Sequence, residues 1–522
     1  MSGHGNDGAM PSMQLVRLED VTHTAVQSGA WSDPATWAGG TVPPEGARVQ
    51  IPEGLSVTVD AVLAPMMETV RVDGTLSFAT DVATQLRVDT LVTAKTGLLE
   101  IGTAAEPVEA GVTASILFAD DGPVSRDTDP ALIGRGALLH GKTVIHGAEK
   151  TGFGPLAEGA RAGDGTITLA EAPTGWRIGD RITIAGTDAA DPLGDEVRVI
   201  AGIDGATVTL DRALDADHVA PRADLDVHVA NLTRNVTFAS ESEETLHRGH
   251  VMFMHTNDAE LAYVGFDRLG RSDKIQGLDD WELVGPSEGA IGDVEVMELG
   301  GDILRGRYSV HFHEGYGSVE EEGAQVIGSV VTRDPGWGFV NHSSNVDFIA
   351  NVTHDIGGAA YVTEAGDEIG SFVGNIAIRT HNPEADLNPA RQELDPGQEP
   401  DARAGTQDYG WQGDGFWLHG ANVAVDGNVV SGASGHGYIY WTLGLTQKAK
   451  GETLVDVAIL PQGGMIGPDG TLVRTKQVPV PSFVGNEAYS VSKGLQIHYL
   501  HTDNRDPGDR ELGLTVPQAY EA

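Results

Sequence analysis

The chain contains no cysteine and few basic residues, and each absence excludes a class of chemistry or partner. Without cysteine there is no disulfide, thiolate nucleophile or iron–sulfur cluster, so any metal site must use His, Asp, Glu, backbone or water. Lys and Arg total 33 against 76 Asp and Glu, which gives a net charge of −43. A surface this acidic repels nucleic acid and anionic membranes, so we expect neither as a partner.

Long apolar runs and helix signals are scarce as well. No stretch approaches the roughly 18 consecutive apolar residues of a membrane span, so we expect no membrane insertion. Residues 1–13, MSGHGNDGAMPSM, lack the basic and apolar regions of a secretory signal. An exported protein would therefore have lost a leader or would use another route.

What the chain does contain is a series of short apolar runs separated by Gly, Asn and Asp. Residues 47–60 (ARVQIPEGLSVTVD) are typical of strands joined by tight turns. Beyond residue 300 the unit "apolar strand, Asn/Asp/Gly corner, apolar strand" recurs about every 20–30 residues, which predicts a parallel β-helix of stacked coils. Residues 345–352, 370–378 and 422–430 each place Asn or Gly near a corner, where Asn can adopt the left-handed conformation and stack in ladders.

These patterns divide the chain into five segments. We expect a loose leader (1–25), a β-rich N-terminal domain (26–150), a small β section (151–230), the main β-helix (231–450) with a Pro- and Asp-rich insertion (381–410), and a further coil and tail (451–522). An insertion of that length is usually functional or disordered.

The most informative motif is Val310-His311-Phe312-His313. A strand alternates its side chains, so Val310 and Phe312 can enter a core while His311 and His313 project together, about 6–7 Å apart. Coils stack about 4.8 Å apart, so His342 in the next apparent coil could join them. The three histidines would form a site with an open position, suited to a divalent metal: zinc, copper, iron or manganese.

Other interpretations of these histidines remain open. They could act directly as acid, base or glycan-binding groups without metal, or form a structural stacking ladder. His250 and His255 lie on an earlier strand at odd spacing, so they cannot share one face of a regular strand. Of the two, we favour His250 as a further metal ligand. Calcium at scattered Asp corners is a separate possibility.

Asp355 and Glu364 are the best candidates for catalytic carboxylates. Glycoside hydrolysis needs an acid and a base or nucleophile, which two carboxylates supply. A lyase would instead need a base beside a cation that neutralises a uronate carboxylate, and Arg307 and Arg333 could do that. The alternatives are a turn-capping role for Asp355 and a solvated surface position for Glu364.

Aromatic residues concentrate in the same third of the chain. Trp337, Trp411 and Tyr438 could stack on sugar rings in a carbohydrate groove. The alternative is packing in the core or at the corners of the β-helix. No nucleotide-binding, G-x-S-x-G or H-E-x-x-H motif supports another chemistry.

Several stretches resemble one known family. Residues 29–60 (GAWSDPATWAGGTVPPEGARVQIPEGLSVTVD) resemble the start of the G8 domain of fibrocystin and of the cell-migration-inducing and transmembrane hyaluronidases. Residues 174–187 (TGWRIGDRITIAGT) are similar to the hairpin that follows that domain. Residues 306–313 (GRYSVHFH) and 340–366 (VNHSSNVDFIANVTHDIGGAAYVTEAG) are similar to the β-helix motifs of the same family.

The resemblance implies an all-β fold, a right-handed parallel β-helix preceded by a G8 domain. Carried over residue by residue, it matches His311, His313, His342, Asp355 and Glu364. The chain departs from the family at Ala359, where the family has histidine, and at Ala365, where it has an acid.

The resemblance also implies an extracellular, secreted enzyme that depolymerises a hyaluronan-like or other uronate-containing polysaccharide. Two alternatives come from other classes of protein. One is a non-catalytic glycan-binding or adhesive surface module, and the other is a metal-dependent redox enzyme with a non-glycan substrate.

Overall fold

The structure is a computed structural model, and it describes most but not all of the chain. The described residues are 10–284, 294–318, 321–383, 403, 405–442, 446–447, 451–461, 463–498 and 500. Most of the expected insertion at 381–410 therefore lies outside the described residues, as do the first nine residues of the expected leader and residues 501–522 of the tail.

Strands dominate the fold from the N-terminal region onwards. The first strands are β1 (His23–Thr24), β2 (Gly29–Ala30), β3 (Ala47–Ile51), β4 (Ser56–Val59), β5 (Val62–Val72), β6 (Thr75–Phe78), β7 (Thr84–Thr93), β8 (Leu98–Ile101), β9 (Ala114–Phe118), β10 (Gly136–Leu139) and β11 (Lys142–His146). An inserted section then contains β12 (Phe153–Pro155), β13 (Thr166–Thr168), β14 (Arg181–Ile184), β15 (Glu196–Asp204), β16 (Thr207–Leu210) and β17 (His228–Asn231).

The second half of the chain continues in the same way. Its strands are β18 (Val236–Ser240), β19 (Val251–Met254), β20 (Ala259–Ala262), β21 (Val264–Asp267), β22 (Trp281–Leu283), β23 (Val296–Glu298), β24 (Val310–Tyr316), β25 (Ala324–Ile327), β26 (Val330–Thr332), β27 (Phe339–Ile349), β28 (Val352–Ile356), β29 (Ala359–Thr363), β30 (Ile369–Val373), β31 (Ile376–Thr380), β32 (Asp414–Leu418), β33 (Ala424–Asp426), β34 (Val429–Trp441), β35 (Thr446–Gln447), β36 (Gly451–Glu452), β37 (Leu454–Asp456), β38 (Leu472–Arg474), β39 (Phe483–Val484) and β40 (Glu487–His498).

Helical structure is limited to single turns within the described residues. They are the α-helix Pro11–Gln14 and the 3₁₀ turns Leu18–Asp20, Pro34–Thr36, Ala38–Gly40, Thr245–His247, Val457–Ile459, Gly463–Met465 and Thr475–Gln477. None of the described helices has the length and apolar character that crossing a bilayer requires.

The strands stack in parallel on three faces, which confirms the predicted parallel β-helix. The first face includes β9, β18, β21, β26, β28 and β31. The second face includes β10, β19, β24, β29, β32 and the first half of β27. The third face includes β8, β11, β20, β25, β30 and the second half of β27.

The stack is continuous across residue 150, where the sequence suggested a domain boundary. Strand β11, before that point, pairs with both β8 and β20, and β10 pairs with both β7 and β19. The N-terminal strands are thus the first coils of one β-helix. After β11 the chain leaves the stack and forms an antiparallel six-stranded sheet, β12–β17, with its own apolar core. The chain then returns to the stack at β18.

The interior is filled by side chains that alternate inward along each strand. Aromatic rings stack from coil to coil, with centroids 4.4 Å apart for Phe253 and Phe312 and 4.6 Å apart for Tyr361 and Phe416. Such offset stacks contribute about 0.5–1.5 kcal/mol each beyond the burial of their area. The core therefore fixes the register that places the outward side chains.

An asparagine ladder at one corner confirms the expectation from the corner motifs. The amide of Asn351 donates to Asn375 Oδ1 at 3.0 Å, Asn375 to Asn428 at 3.0 Å and Asn428 to Asn486 at 3.1 Å. The left-handed residue is the one before each asparagine, such as Ala350 with φ 54°. Each amide thus satisfies backbone groups that the corner exposes.

Residues 10–20 are packed rather than loose, in contrast to the expectation for the leader. Met13 and Val16 are buried against Val92, Leu138 and Met252, outward-facing residues of the second face. These apolar side chains bury surface that would otherwise be exposed, and this contact orders the segment.

Candidate functional site

Four predicted residues lie together on the second face: His311, His313, His342 and Glu364. We call the cleft that they line the histidine cleft. His313 on β24 lies opposite His342 on β27 in parallel register. Asn341 lies opposite Thr363, so the residues that follow them, His342 and Glu364, are neighbours on successive coils. Strand alternation and register bring the four side chains together, and the spacing of the motif and of the coils predicts this for the three histidines.

The polar atoms of these residues converge. His342 Nδ1 lies 3.3 Å from Glu364 Oε2, and His311 Nε2 lies 3.6 Å from the same oxygen. His313 Nδ1 lies 3.3 Å from His342 Nδ1. One nitrogen from each histidine falls within 4.8 Å of the others.

These residues line a cleft of about 380 Å³, a size typical of small-ligand sites. Ile133, Met252 and Met254 give one side an apolar character, and Trp281 lies on the hairpin β22–β23 at the same cleft. Arg305, Arg307, Asp280, Glu298 and Glu314 supply further charges.

Electrostatics separates the histidines into two kinds. Burial, foremost, lowers the pKa of His311 to about 4 and the pKa of His313 well below its ordinary value. Burial also opposes protonation of His342, but the Glu364 carboxylate outweighs it and raises the pKa of His342 to about 9. The neutral imidazoles of His311 and His313 have lone pairs free to bind a metal at neutral pH.

Glu364 is ionised although it is buried. Burial alone would raise its pKa, but His342 and His311 lower it to about 2. Its Oε2 and the Nε2 of His311 are fully buried and make no hydrogen bond among the described residues. Buried polar atoms normally have a partner, so this pair of atoms indicates a site built for a ligand.

The donor set fits a transition metal. Three imidazole nitrogens, of which that of His342 loses its proton when a metal binds, and a carboxylate oxygen are typical ligands of zinc, manganese, iron or copper. Calcium prefers six to eight oxygen ligands, so this set does not suit it.

Arg307 lines the same cleft and presents a charge without a carboxylate partner. Its guanidinium donates to the carbonyl oxygens of Ala131, Leu132 and Arg305 at 2.6–3.0 Å, and within the described residues it forms no ion pair. Burial lowers its pKa. The backbone carbonyls hold the group in place and leave its positive charge for an anionic ligand.

The structure separates Asp355 from the histidine cleft, contrary to the sequence hypothesis. Asp355 lies on the first face and pairs with His381 at 2.9 Å and Arg379 at 3.2 Å. Asp195 of the inserted sheet pairs with Arg379 at 3.0 Å and with His354 at 2.8 Å. We call these five residues the docking network, because they tie the inserted sheet to the β-helix.

Arg333 is also on the first face and away from the cleft. It pairs with Asp267 at 2.5 Å, an ion pair between adjacent coils that occupies its guanidinium. A substrate role for Arg333 at the histidine cleft therefore has no support in the geometry.

The three aromatic residues that were predicted to stack on sugar rings are buried instead. Trp337 stacks between Tyr308 and Trp417, with centroid distances of 4.8 and 5.6 Å. Tyr438 faces the interior and donates to the carbonyl oxygen of Asn428, and Trp411 is 7 % exposed under Arg403. The alternative of core packing applies to all three residues.

His250 does not join the three clustered histidines. Met252 lies opposite His311, so His250 falls opposite Ser309, two positions along the strand. Its ring is fully buried and its Nδ1 lies 3.1 Å from the carbonyl oxygen of Arg135. The proposed metal role of His250 therefore has no support in this arrangement.

Sequence reasoning missed His419 and Tyr308, two buried residues near Glu364. The Nε2 of His419 and the hydroxyl of Tyr308 make no hydrogen bond among the described residues, and the negative charge of Glu364 acts on both groups. Counting register would have found His419, because Thr363 lies opposite Leu418 and the next residues are Glu364 and His419.

Comparisons with known proteins agree with this architecture. The family model of the G8 domain matches residues 36–153, and that of the CEMIP beta-helix matches residues 283–495. The chain thus contains a G8 domain at residues 36–153 and a CEMIP-type β-helix at residues 283–495.

The chain is similar to two kinds of curated relative. Human fibrocystin-L is 25% identical over 447 residues, which cover 79% of this chain and 10% of that protein. A G8 domain-containing protein of Dictyostelium discoideum is 23% identical over 363 residues, 67% of this chain and 23% of that protein. The chain therefore spans about a tenth of the length of fibrocystin-L.

Solved structures add little. The tailspike protein gp49 of Pseudomonas phage LKA1 is 11% identical, with 74% of this chain and 54% of that chain covered. Its TM-score is 0.17, so this likeness carries no argument.

Proposed function

We propose that this protein is an extracellular, metal-dependent enzyme that depolymerises an acidic, uronate-containing polysaccharide at the histidine cleft. The observation that carries the proposal is the convergence of His311, His313, His342 and Glu364 on one point of an open cleft. The match to the CEMIP beta-helix supports a role related to carbohydrate.

The histidines would hold a divalent metal, with Glu364 beside them. A bound metal of this kind polarises a substrate oxygen or lowers the pKa of a bound water. The ring of His311 is fixed for this task because its Nδ1 lies 2.9 Å from the carbonyl oxygen of Gly306, which leaves Nε2 for the metal.

Glu364 presents a fixed negative charge to a reacting group or a bound cation, because its low pKa makes it a weak base. Its carboxylate is ionised at neutral pH and lies within hydrogen-bond or ion-pair distance of two histidines, where a reacting group would be held. Glu314 lines the same cleft and supplies a second carboxylate, so both hydrolysis and elimination are chemically open to the site.

Arg307 would bind the carboxylate of a uronate. The whole protein repels an acidic polymer, with a net charge of −43, so binding needs a local cation. Arg307 and the metal together supply positive charge at the cleft, and the guanidinium fork matches a carboxylate in geometry.

The test is cleavage of a panel of acidic and neutral polysaccharides by the purified protein. New reducing ends report hydrolysis, and the ultraviolet absorbance of unsaturated uronates reports elimination. We expect chains with uronate to shorten, and we expect His313→Ala to remove the activity. His247→Ala is the matched control, because His247 pairs with Asp120 away from the cleft and should leave activity unchanged.

Binding of an acidic polysaccharide without any cleavage would overturn the enzymatic proposal and favour the adhesive module. Equal activity of His313→Ala and wild type would place catalysis elsewhere. Cleavage confined to neutral polysaccharides would remove the role of Arg307.

A further inference from the structure

The apolar side of the histidine cleft contains a pair of thioethers in register with a pair of imidazoles. On β19 and β24, Met252 lies opposite His311 and Met254 lies opposite His313. Phe253 and Phe312 between them stack inward at 4.4 Å, so the methionines and histidines project from the same outward face. The four side chains form a two-by-two array on adjacent strands.

The side chains also approach one another at their ends. A Cβ atom added to Gly306 would lie 3.5 Å from His311 Cε1 and 3.8 Å from Met252 Cε. The two side chains therefore both border the space next to Gly306. Met252 and Met254 both line the cleft beside the two histidines. The end of Met252 therefore approaches the ring of His311 beside Gly306, and the register of β19 and β24 places both methionines next to the two histidines.

Methionine is concentrated at this place. The chain contains nine methionines, and four of them, Met10, Met13, Met252 and Met254, belong to the one apolar cluster that borders the cleft. Leucine would fill the same space, as Leu138 does on the preceding coil opposite Met252. Apolar packing alone thus does not require sulfur at these two positions.

We propose that Met252, Met254, His311 and His313 form a soft-cation site that binds cuprous ion. Thioether and imidazole ligands select Cu(I), whereas carboxylate selects harder cations. The cleft then has a thioether side on β19 and a carboxylate side at Glu364, with the two histidines of β24 between them.

The site shares His311 and His313 with the proposed catalytic metal, and in this respect it rests on the proposed function. One ion at a time can use these two rings. Cuprous ion therefore displaces a divalent metal from the histidines and stops polysaccharide cleavage, while a divalent metal on the carboxylate side needs neither thioether.

The test is Cu(I) binding under anaerobic conditions, measured by competition with a chromogenic Cu(I) chelator, with zinc binding measured in parallel. The variant Met252→Leu/Met254→Leu removes both sulfurs and keeps the apolar volume, and Met66→Leu, on a strand outside the cleft, is the matched control. Thermal unfolding checks that each variant folds. X-ray absorption of the Cu(I)-loaded wild type reports sulfur ligands directly.

We expect one Cu(I) per chain in the wild type and in Met66→Leu, and an affinity lower by about tenfold or more in the double variant. Zinc affinity should be equal in all three proteins. Equal Cu(I) affinity of wild type and double variant, or a copper spectrum without sulfur, would overturn the soft-cation site.

The same experiment separates the two proposals. Zinc binding without preference for Cu(I) would remove the soft-cation site and leave the proposed catalytic metal intact. Absence of stoichiometric binding of either ion in the wild type would remove both.

Discussion

Two groups of histidines and carboxylates lie on different faces of the β-helix, and they differ in how completely their polar atoms are paired. In the docking network His354 lies 2.8 Å from the carboxylate of Asp195, and His381 lies 2.9 Å from that of Asp355. Arg379 forms an ion pair with each of these two acids. In the histidine cleft the corresponding distances are 3.3 and 3.6 Å, and two buried atoms have no hydrogen bond among the described residues. The same residue types are thus paired in one group and incompletely paired in the other.

The difference follows from what each group must do. A fully paired network stabilises one arrangement of two elements, here the inserted section and the β-helix. A partly paired group costs stability and persists when the surrounding structure holds it for a ligand. Pairing therefore distinguishes the docking network from the proposed functional site, although composition does not.

A change at the centre of the docking network should reduce stability more than any other change considered below. Asp195→Ala leaves His354 and Arg379 without their shared carboxylate, which is 4 % exposed. Breaking a buried pair in this way costs about 3–5 kcal/mol. Urea unfolding should show the loss, and limited proteolysis should show earlier cleavage within residues 151–230.

The matched control is Asp224→Ala, which breaks an exposed ion pair with Arg222 in the same inserted sheet. This change should leave the unfolding curve where it is. Equal destabilisation by the two variants would mean that the docking network does not hold the sheet.

The next effect is on catalysis. Glu364→Gln keeps the shape of the side chain and removes its negative charge, so polysaccharide cleavage should fall by about 10²-fold or more. The matched control is Glu260→Gln, which alters another histidine–glutamate pair, with His146 on the third face, and should keep full activity. Unchanged activity of Glu364→Gln would contradict the assigned role of the cleft.

Arg307→Gln should have a smaller and more selective effect. It removes the unpaired cation, so KM for an acidic polysaccharide should rise about tenfold while kcat changes little. Arg212→Gln, a change at an exposed arginine, should leave KM unchanged. A fall in kcat alone would show that Arg307 acts on the reaction and not on binding.

The smallest effect concerns pH and the docking network. Burial alone would raise the pKa of Asp355, but the hydrogen bond from His381 and the nearby positive charges lower it from 3.8 to about 2. Its ionised form therefore stabilises the fold above about pH 4, and this stability is lost as the pH falls towards 2.

Because Asp355 is 33% exposed, solvent screening limits its contribution to about 1 kcal/mol. Asp355→Asn should flatten the acid limb of the stability–pH curve and leave polysaccharide cleavage unchanged. Loss of cleavage in this variant would return Asp355 to the catalytic group.

Much of the histidine cleft follows from sequence, because register follows from strand periodicity. Alternation in Val310-His311-Phe312-His313 and the spacing between coils place His342 beside the pair, whereas Glu364 is indicated by the family resemblance. The asparagine ladder follows from the corner motifs in the same way. These are local rules that hold for any stacked coil.

The position of Asp355 does not follow from sequence, because a coil has three faces and similar strands occupy each of them. The face depends on where the chain turns, and Asp355 itself adopts φ 64°, which interrupts regular alternation. The burial of Trp337 and Tyr438 does not follow from sequence either, for a related reason. Tyr438 lies on β34, which is buried on both sides, and Trp337 lies before β27 begins, so strand alternation does not indicate which of these rings reaches solvent.

If the histidine cleft is a metal site, the purified protein should contain metal, which mass spectrometry measures. The comparison is between wild type, His311→Ala/His313→Ala and the control His247→Ala, after loading with zinc, manganese, iron or copper and removal of free metal. We expect about one transition metal per chain in wild type and control, and none in the double variant. Equal metal in all three proteins, or none in the wild type, would contradict the claim.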